Sequence, residues 1–159
     1  MYKNIAPPSI LLILLYSTLF SQISQQWVSK YHHISSANDI AKYSQLDNGR
    51  NIYIAGLSDG NFLVTKYNSS GDNLWVSKYT TGDNNEDDFL SGFKVDDNRN
   101  VYITGSILTS DTTYDIVTIK YNTNGVQQWV AKYSGGYNID DIVVGLDVDP
   151  SGNVYVAGY

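Results

Sequence analysis

Three aspartates recur at one place in a repeating pattern. Asp39, Asp88 and Asp141 each stand just before a stretch of alternating apolar residues. Around two of them the acid content is dense: Asp83, Glu86, Asp87 and Asp88 in one segment, Asp140 and Asp141 in the other. Carboxylates gathered at one end of a scaffold supply hard oxygen ligands, so Asp39, Asp88 and Asp141 are candidate ligands for Ca²⁺, the cofactor such a set would take. The wider set, Asp83, Glu86, Asp87, Asp88, Asp140 and Asp141, is the candidate partner-binding surface. The same side chains have a plainer use, capping turns or accepting hydrogen bonds from a neighbouring element. Loop carboxylates without a fixed spacing are weak grounds for glycoside chemistry. No catalytic residue can be named.

Other chemistry is thin. His32 and His33 are the two histidines. Adjacent strand residues point to opposite faces, so the pair does not readily share a metal, and neither has a Ser and Asp set to work with. There is no cysteine, which excludes disulfides, thiolate metal sites and Cys nucleophiles. A net charge of -6 argues against nucleic acid, whose phosphates need a basic face. Asp147, Asp149 and Ser151 resemble half of a Ca²⁺ loop but lack its closing acid, so a turn is the better reading.

The elements that position these residues repeat. The run 115–133 reads as a hairpin: a β-branched strand, the turn Asn122-Thr123-Asn124-Gly125, and a second strand carrying Trp129. The same hairpin occurs at 62–79 around Trp75, and its second strand occurs alone at 25–31 around Trp27. Ahead of each hairpin lie two more strands. In the first unit they are 40–46 and 51–55, in the second 89–95 and 100–104, in the third 142–148 and 153–157. Each second strand is expected to stop at a glycine, Gly56, Gly105 or Gly158. Asp47, Asn51 and Tyr53 recur as Asp96, Asn100 and Tyr102, and as Asp149, Asn153 and Tyr155, without a gap.

Four antiparallel strands in order make a meander whose turns alternate between its ends. Two turns keep their length and so share one end. Two segments vary, 57–61 against 106–115 and 80–87 against 134–140, and these share the other. Loops on a rigid scaffold commonly carry function, which favours the variable end. The repeated Trp and Tyr columns invite a sugar-stacking reading, but aromatics at fixed strand positions more often pack between sheets.

Meanders recurring at about 50 residues are the signature of a β-propeller. The expected fold is therefore all-β, a propeller of four-stranded antiparallel blades, about two and a third of them present. The expected divisions are a signal peptide at 1–21, a lone strand at 22–36, blade 1 at 37–81, blade 2 at 82–135 and part of blade 3 at 136–159. The lone strand would serve as strand four of the last blade and close the ring. Lys3, the apolar run 10–20 and the small residues 21–24 fit a cleaved export signal, too short to anchor in a bilayer. The mature chain is expected outside the cell or at its surface, with no membrane span. Two and a third blades cannot close a ring, so further blades of a longer chain, or less readily several copies, are expected to complete it.

The motifs Asn-x-Tyr-[Val/Ile]-[Ala/Thr]-Gly, Lys-Tyr-Asn and Gln-Trp-Val-[Ser/Ala]-Lys-Tyr together resemble the SBBP repeat, the bacterial seven-bladed β-propeller repeat. The resemblance spans 25–159 and implies an exported propeller, often within a longer protein. It brings no catalytic residues. Lys42 and Ser44 stand where later repeats are apolar. The function expected is a non-enzymatic binding or structural module that shows its variable loops to extracellular protein or glycan. The rivals are a quinoprotein-type enzyme, since Gly71 to Trp75 loosely resembles the Gly-x-x-x-Trp blade motif of that class, and a sugar-binding lectin.

Overall fold

The computed structural model describes residues 27–29, 31, 38–80, 88–109, 112–136 and 139–159. The expected signal peptide lies outside the described residues, as does most of the lone strand. Trp27 to Ser29 and Tyr31 are described and are not in a strand.

Ten strands are described. β1 (Asp39–Leu46), β2 (Ile52–Ser58), β3 (Asn61–Tyr67) and β4 (Asn73–Tyr79) form one sheet in chain order. β5 (Phe89–Val95), β6 (Val101–Leu108), β7 (Tyr114–Tyr121) and β8 (Gln127–Tyr133) form a second. β9 (Val143–Val148) and β10 (Val154–Gly158) pair as a third. Every pairing is antiparallel. The described chain is thus all-β, two four-stranded propeller blades and the first two strands of a third.

β10 ends at Gly158 as expected, but the other two glycines do not stop their second strands. β2 runs through Gly56 to Ser58, and β6 runs through Gly105 to Leu108. The cause lies in the neighbouring first strand. Its register slips between Ala41 and Tyr43, and again between Leu90 and Gly92. This bulge drives a carbonyl against the glycine. A Cβ on Gly56 would lie 1.9 Å from the Ile40 oxygen, and one on Gly105 would lie 2.2 Å from the Phe89 oxygen. Only a residue without a side chain lets the sheet pass.

The alternation of each strand then sorts its residues. Tyr53, Ala55 and Leu57 on β2 and Phe62 and Val64 on β3 share one face of the first sheet. That face meets Leu90, Val95, Ile103, Val117 and Ile119 of the second sheet in one core. The blades therefore stack face to face. First strands sit beside first strands, since β5 touches both β1 and β9. β1 is largely exposed, with Lys42 and Ser44 open to solvent.

Side chains also bind neighbouring blades. Gln45 donates to the Val95 carbonyl and accepts from the Val95 N–H, both at 2.9 Å. One blade on, the same junction carries an ion pair, Lys94 to Asp147 at 2.9 Å. Both of its side chains are well exposed, so it contributes little.

Candidate functional site

The two ends of the meanders are built differently. At the fixed-turn end each blade repeats one polar network. Asp47 accepts from the Gly49 N–H at 2.8 Å and the Asn51 N–H at 2.9 Å through one oxygen. Its other oxygen accepts from the Asn51 amide at 2.8 Å and the Tyr53 hydroxyl at 3.2 Å. Asp96 holds Asn100 and Tyr102 in the same way, and Asp149 holds Asn153 and Tyr155. A lysine completes the set from strand three: Lys66 lies 4.8 Å from the Tyr53 ring centre, and Lys120 lies 5.2 Å from that of Tyr102. Both are within reach of cation–π attraction.

The electrostatics follow from burial. Burial alone would raise the Asp47 carboxyl, but hydrogen bonds from Asn51, Tyr53 and Gly49 outweigh it and hold the group below its ordinary value. Burial, with the Asp47 charge, pushes the Tyr53 phenol up. Lys66 is lowered, chiefly by burial, with Arg99 adding to the effect and Asp47 opposing it. Arg99, in a left-handed backbone conformation at φ 62–65° like Arg50, reaches back one blade to Asp47 at 3.5 Å. These residues form a scaffold lock. The signal was in the sequence, as Asp, Asn and Tyr at intervals of four and two. The Arg99 contact to the previous blade had no such signal.

At the variable-loop end the structure places several of the predicted carboxylates. Asp39 opens β1. Asp88 is 1% exposed and accepts from the Leu108 N–H at 3.0 Å, which fastens the end of β6 to the start of β5. Asp141 is buried and accepts from the Gly135 N–H at 2.6 Å. Asp140 accepts from the Tyr114 N–H at 3.0 Å. Asp140 and Asp141 thus pin the segment joining blade 2 to β9. Asp83, Glu86 and Asp87 lie outside the described residues. Among the described residues no three His, Cys, Asp or Glu side chains gather closely enough to hold a metal ion.

The loops at this end differ in build. Asp59 and Gly60, with φ of 53° and 72°, make the two-residue mirror turn that suits a twisted hairpin. Blade 2 has a wider loop, in which the Thr109 N–H donates to the Thr113 carbonyl at 2.8 Å.

The tryptophans join blades. The Trp75 indole N–H donates to the Thr123 carbonyl at 3.1 Å, in the β7–β8 turn of the next blade. Its ring lies over Gly125, where a Cβ would be 2.7 Å from the indole. Trp27 does the same to the first blade: its N–H donates to Ser69 at 3.1 Å, and its ring lies over Gly71. The Gly71 that suggested a quinoprotein motif is therefore the seat of the Trp27 ring.

Comparison with known proteins agrees with this geometry. Residues 128–159 match the family described as SBBP, beta-propeller repeat. The resemblance read from the strand motifs over 25–159 is borne out by that match at 128–159. The chain is also 26% identical to an uncharacterized WD repeat-containing protein of Acanthamoeba polyphaga mimivirus, over 69% of this chain. The match takes in 9% of that protein's length. WD repeats likewise build four-stranded propeller blades.

Proposed function

We propose that the protein is an exported, non-enzymatic propeller module that binds extracellular protein or glycan through the loops at its variable end. One observation carries this reading. The fixed-turn end repeats a single network three times, whereas the other end holds a two-residue turn in blade 1 and a longer loop at 109–113 in blade 2. Difference confined to one end of a repeated scaffold is how a rigid fold presents a binding surface.

The test is a loop exchange. Residues 109–113 are replaced by the Asp-Gly turn of 59–60, and 83–88 by neutral residues except for the buried Asp88. The parent is screened against extracellular glycans and surface proteins. The reading expects both variants to keep the parent's melting midpoint and to lose its binding. Binding that survives both exchanges contradicts it. Quinone absorbance in a calcium-loaded preparation would favour the enzyme reading instead. The Ca²⁺ expected on Asp39, Asp88 and Asp141 is not proposed again: all three are among the described residues, where no three acidic side chains gather closely enough for a metal ion, and Asp88 and Asp141 accept from the Leu108 and Gly135 N–H groups instead.

A further inference from the structure

One aromatic pair stands at the variable end and not in the core. Phe89 opens β5 and is 46% exposed. Its ring centre lies 5.4 Å from that of Tyr114, the first residue of β7, with the ring planes at 47°. Blade 1 has no counterpart. Counted along the paired strands, Ile40 stands where Phe89 does, and Gly60 where Tyr114 does. The pair therefore belongs to what differs between the blades at this end.

The backbone that carries Tyr114 is held on both sides. Its N–H donates to Asp140 at 3.0 Å, and its carbonyl accepts from the Asp141 N–H at 2.7 Å. On the loop side, the Thr109 hydroxyl and N–H both donate to the Thr113 carbonyl at 2.8 Å. Thr112 has φ of 68°, a left-handed conformation that a β-branched residue adopts only under constraint. Strain of this kind gathers where a binding group is fixed in place before its ligand arrives. The charge around the pair has one sign. The stretches 88–90, 112–116 and 139–142 hold Asp88, Asp115, Asp140 and Asp141, and no Lys or Arg.

We propose that Phe89 and Tyr114 form a stacking platform for one ring of a neutral saccharide, with Asp140 as the acceptor for its hydroxyls. The site rests on the reading of the variable end as the binding surface, and it names the ligand class that this surface takes. An aromatic ring is negative on its face, so it attracts the weakly positive C–H edges of a pyranose. Asp140 is exposed, and its carboxylate accepts a charge-assisted hydrogen bond from a sugar hydroxyl. The surrounding carboxylates repel uronic, sialic and sulfated sugars, which leaves the neutral ones. Two rings and one acceptor match a single sugar unit. A protein partner needs about 800 Å² of contact from each side, and the pair offers a small part of that.

The test is saturation-transfer NMR on the whole chain. The probes are the methyl glycosides of glucose, galactose, mannose and N-acetylglucosamine, with glucuronic acid as the charged control. Irradiating the aromatic protons is expected to pass saturation to the ring C–H protons of a neutral glycoside and not to glucuronic acid. Phe89→Ser and Tyr114→Ser should each weaken binding about fivefold, the worth of one aromatic contact, with the melting midpoint kept. Phe89→Trp should retain binding, and Asp140→Asn should weaken it by a smaller factor because one acceptor oxygen remains. Transfer absent from the parent for every glycoside, or equal in the parent and both serine variants, overturns the site. So does capture of a surface protein that the 109–113 loop exchange abolishes and both serine variants keep. In that case the variable end is still the binding surface, and only its saccharide ligand is refuted.

Discussion

At the residue scale the account turns on the repeated aspartates of the fixed turns. Asp47 is nearly sealed from solvent and accepts four hydrogen bonds, two of them from the backbone. Asp47→Ala should cost about 2–4 kcal/mol, since bonds to a charged group are worth more than neutral ones and their donors would lose their partner. Asp149→Ala removes the same set of bonds at an exposed site and should cost clearly less. Urea unfolding of the two variants checks the order. The pH dependence has a definite sign. Asp47 ionises below its ordinary 3.8 in the folded chain, so the unfolded chain takes up the proton first. The stabilisation is complete above that value and is lost as pH falls below it toward the folded value. Asp47→Ala should therefore flatten the acid limb of a stability–pH profile, and an unaltered limb would contradict the assignment. The sequence displayed these columns by spacing alone. Whether the carboxylates at the other end hold a ligand or the backbone was not legible, because both uses ask for Asp before a strand. Asp88 and Asp141 turn out to hold Leu108 and Gly135.

At the element scale the strands were largely readable. β4, β5 and β8 have the bounds that alternation and turn residues predict. Two of the second strands, β2 and β6, run past theirs, because glycine in sequence looks like a stop and the bulge it accommodates lies on another strand. This gives a sharp comparison. Gly56→Ala should destabilise the chain by roughly 2–4 kcal/mol, since its Cβ would strike a backbone carbonyl that has no free rotor to move. Gly145→Ala, with nothing within 4 Å of the added carbon, should be neutral or stabilise by up to about 1 kcal/mol. Thermal unfolding of both variants decides it. Trp75 belongs at this scale as well, because it ties β4 to the β7–β8 turn. Trp75→Phe should lose about 1 kcal/mol with the indole N–H. Trp75→Ala should lose about 3 kcal/mol or more with the ring. A Trp75→Ala variant as stable as the parent would remove the inter-blade role.

At the scale of the whole molecule, recurrence was the strongest signal. Three copies of one aspartate–asparagine–tyrosine spacing and three tryptophan strands implied stacked meanders before any contact was known. What recurrence did not reveal was how one copy grips the next: the Gln45 clamp on Val95, the Arg99 reach to Asp47, and the indole seated on a glycine turn. These depend on residues about 50 positions apart, and single-sequence spacing carries no record of such pairs. The most direct test of the stacked-blade account is nuclear Overhauser spectroscopy on the Trp75 indole. The account predicts cross-peaks from its ring protons to the Gly125 α-protons, 50 residues away, and matching ones from Trp27 to Gly71. A Trp75 ring whose cross-peaks stay within its own sheet would contradict it.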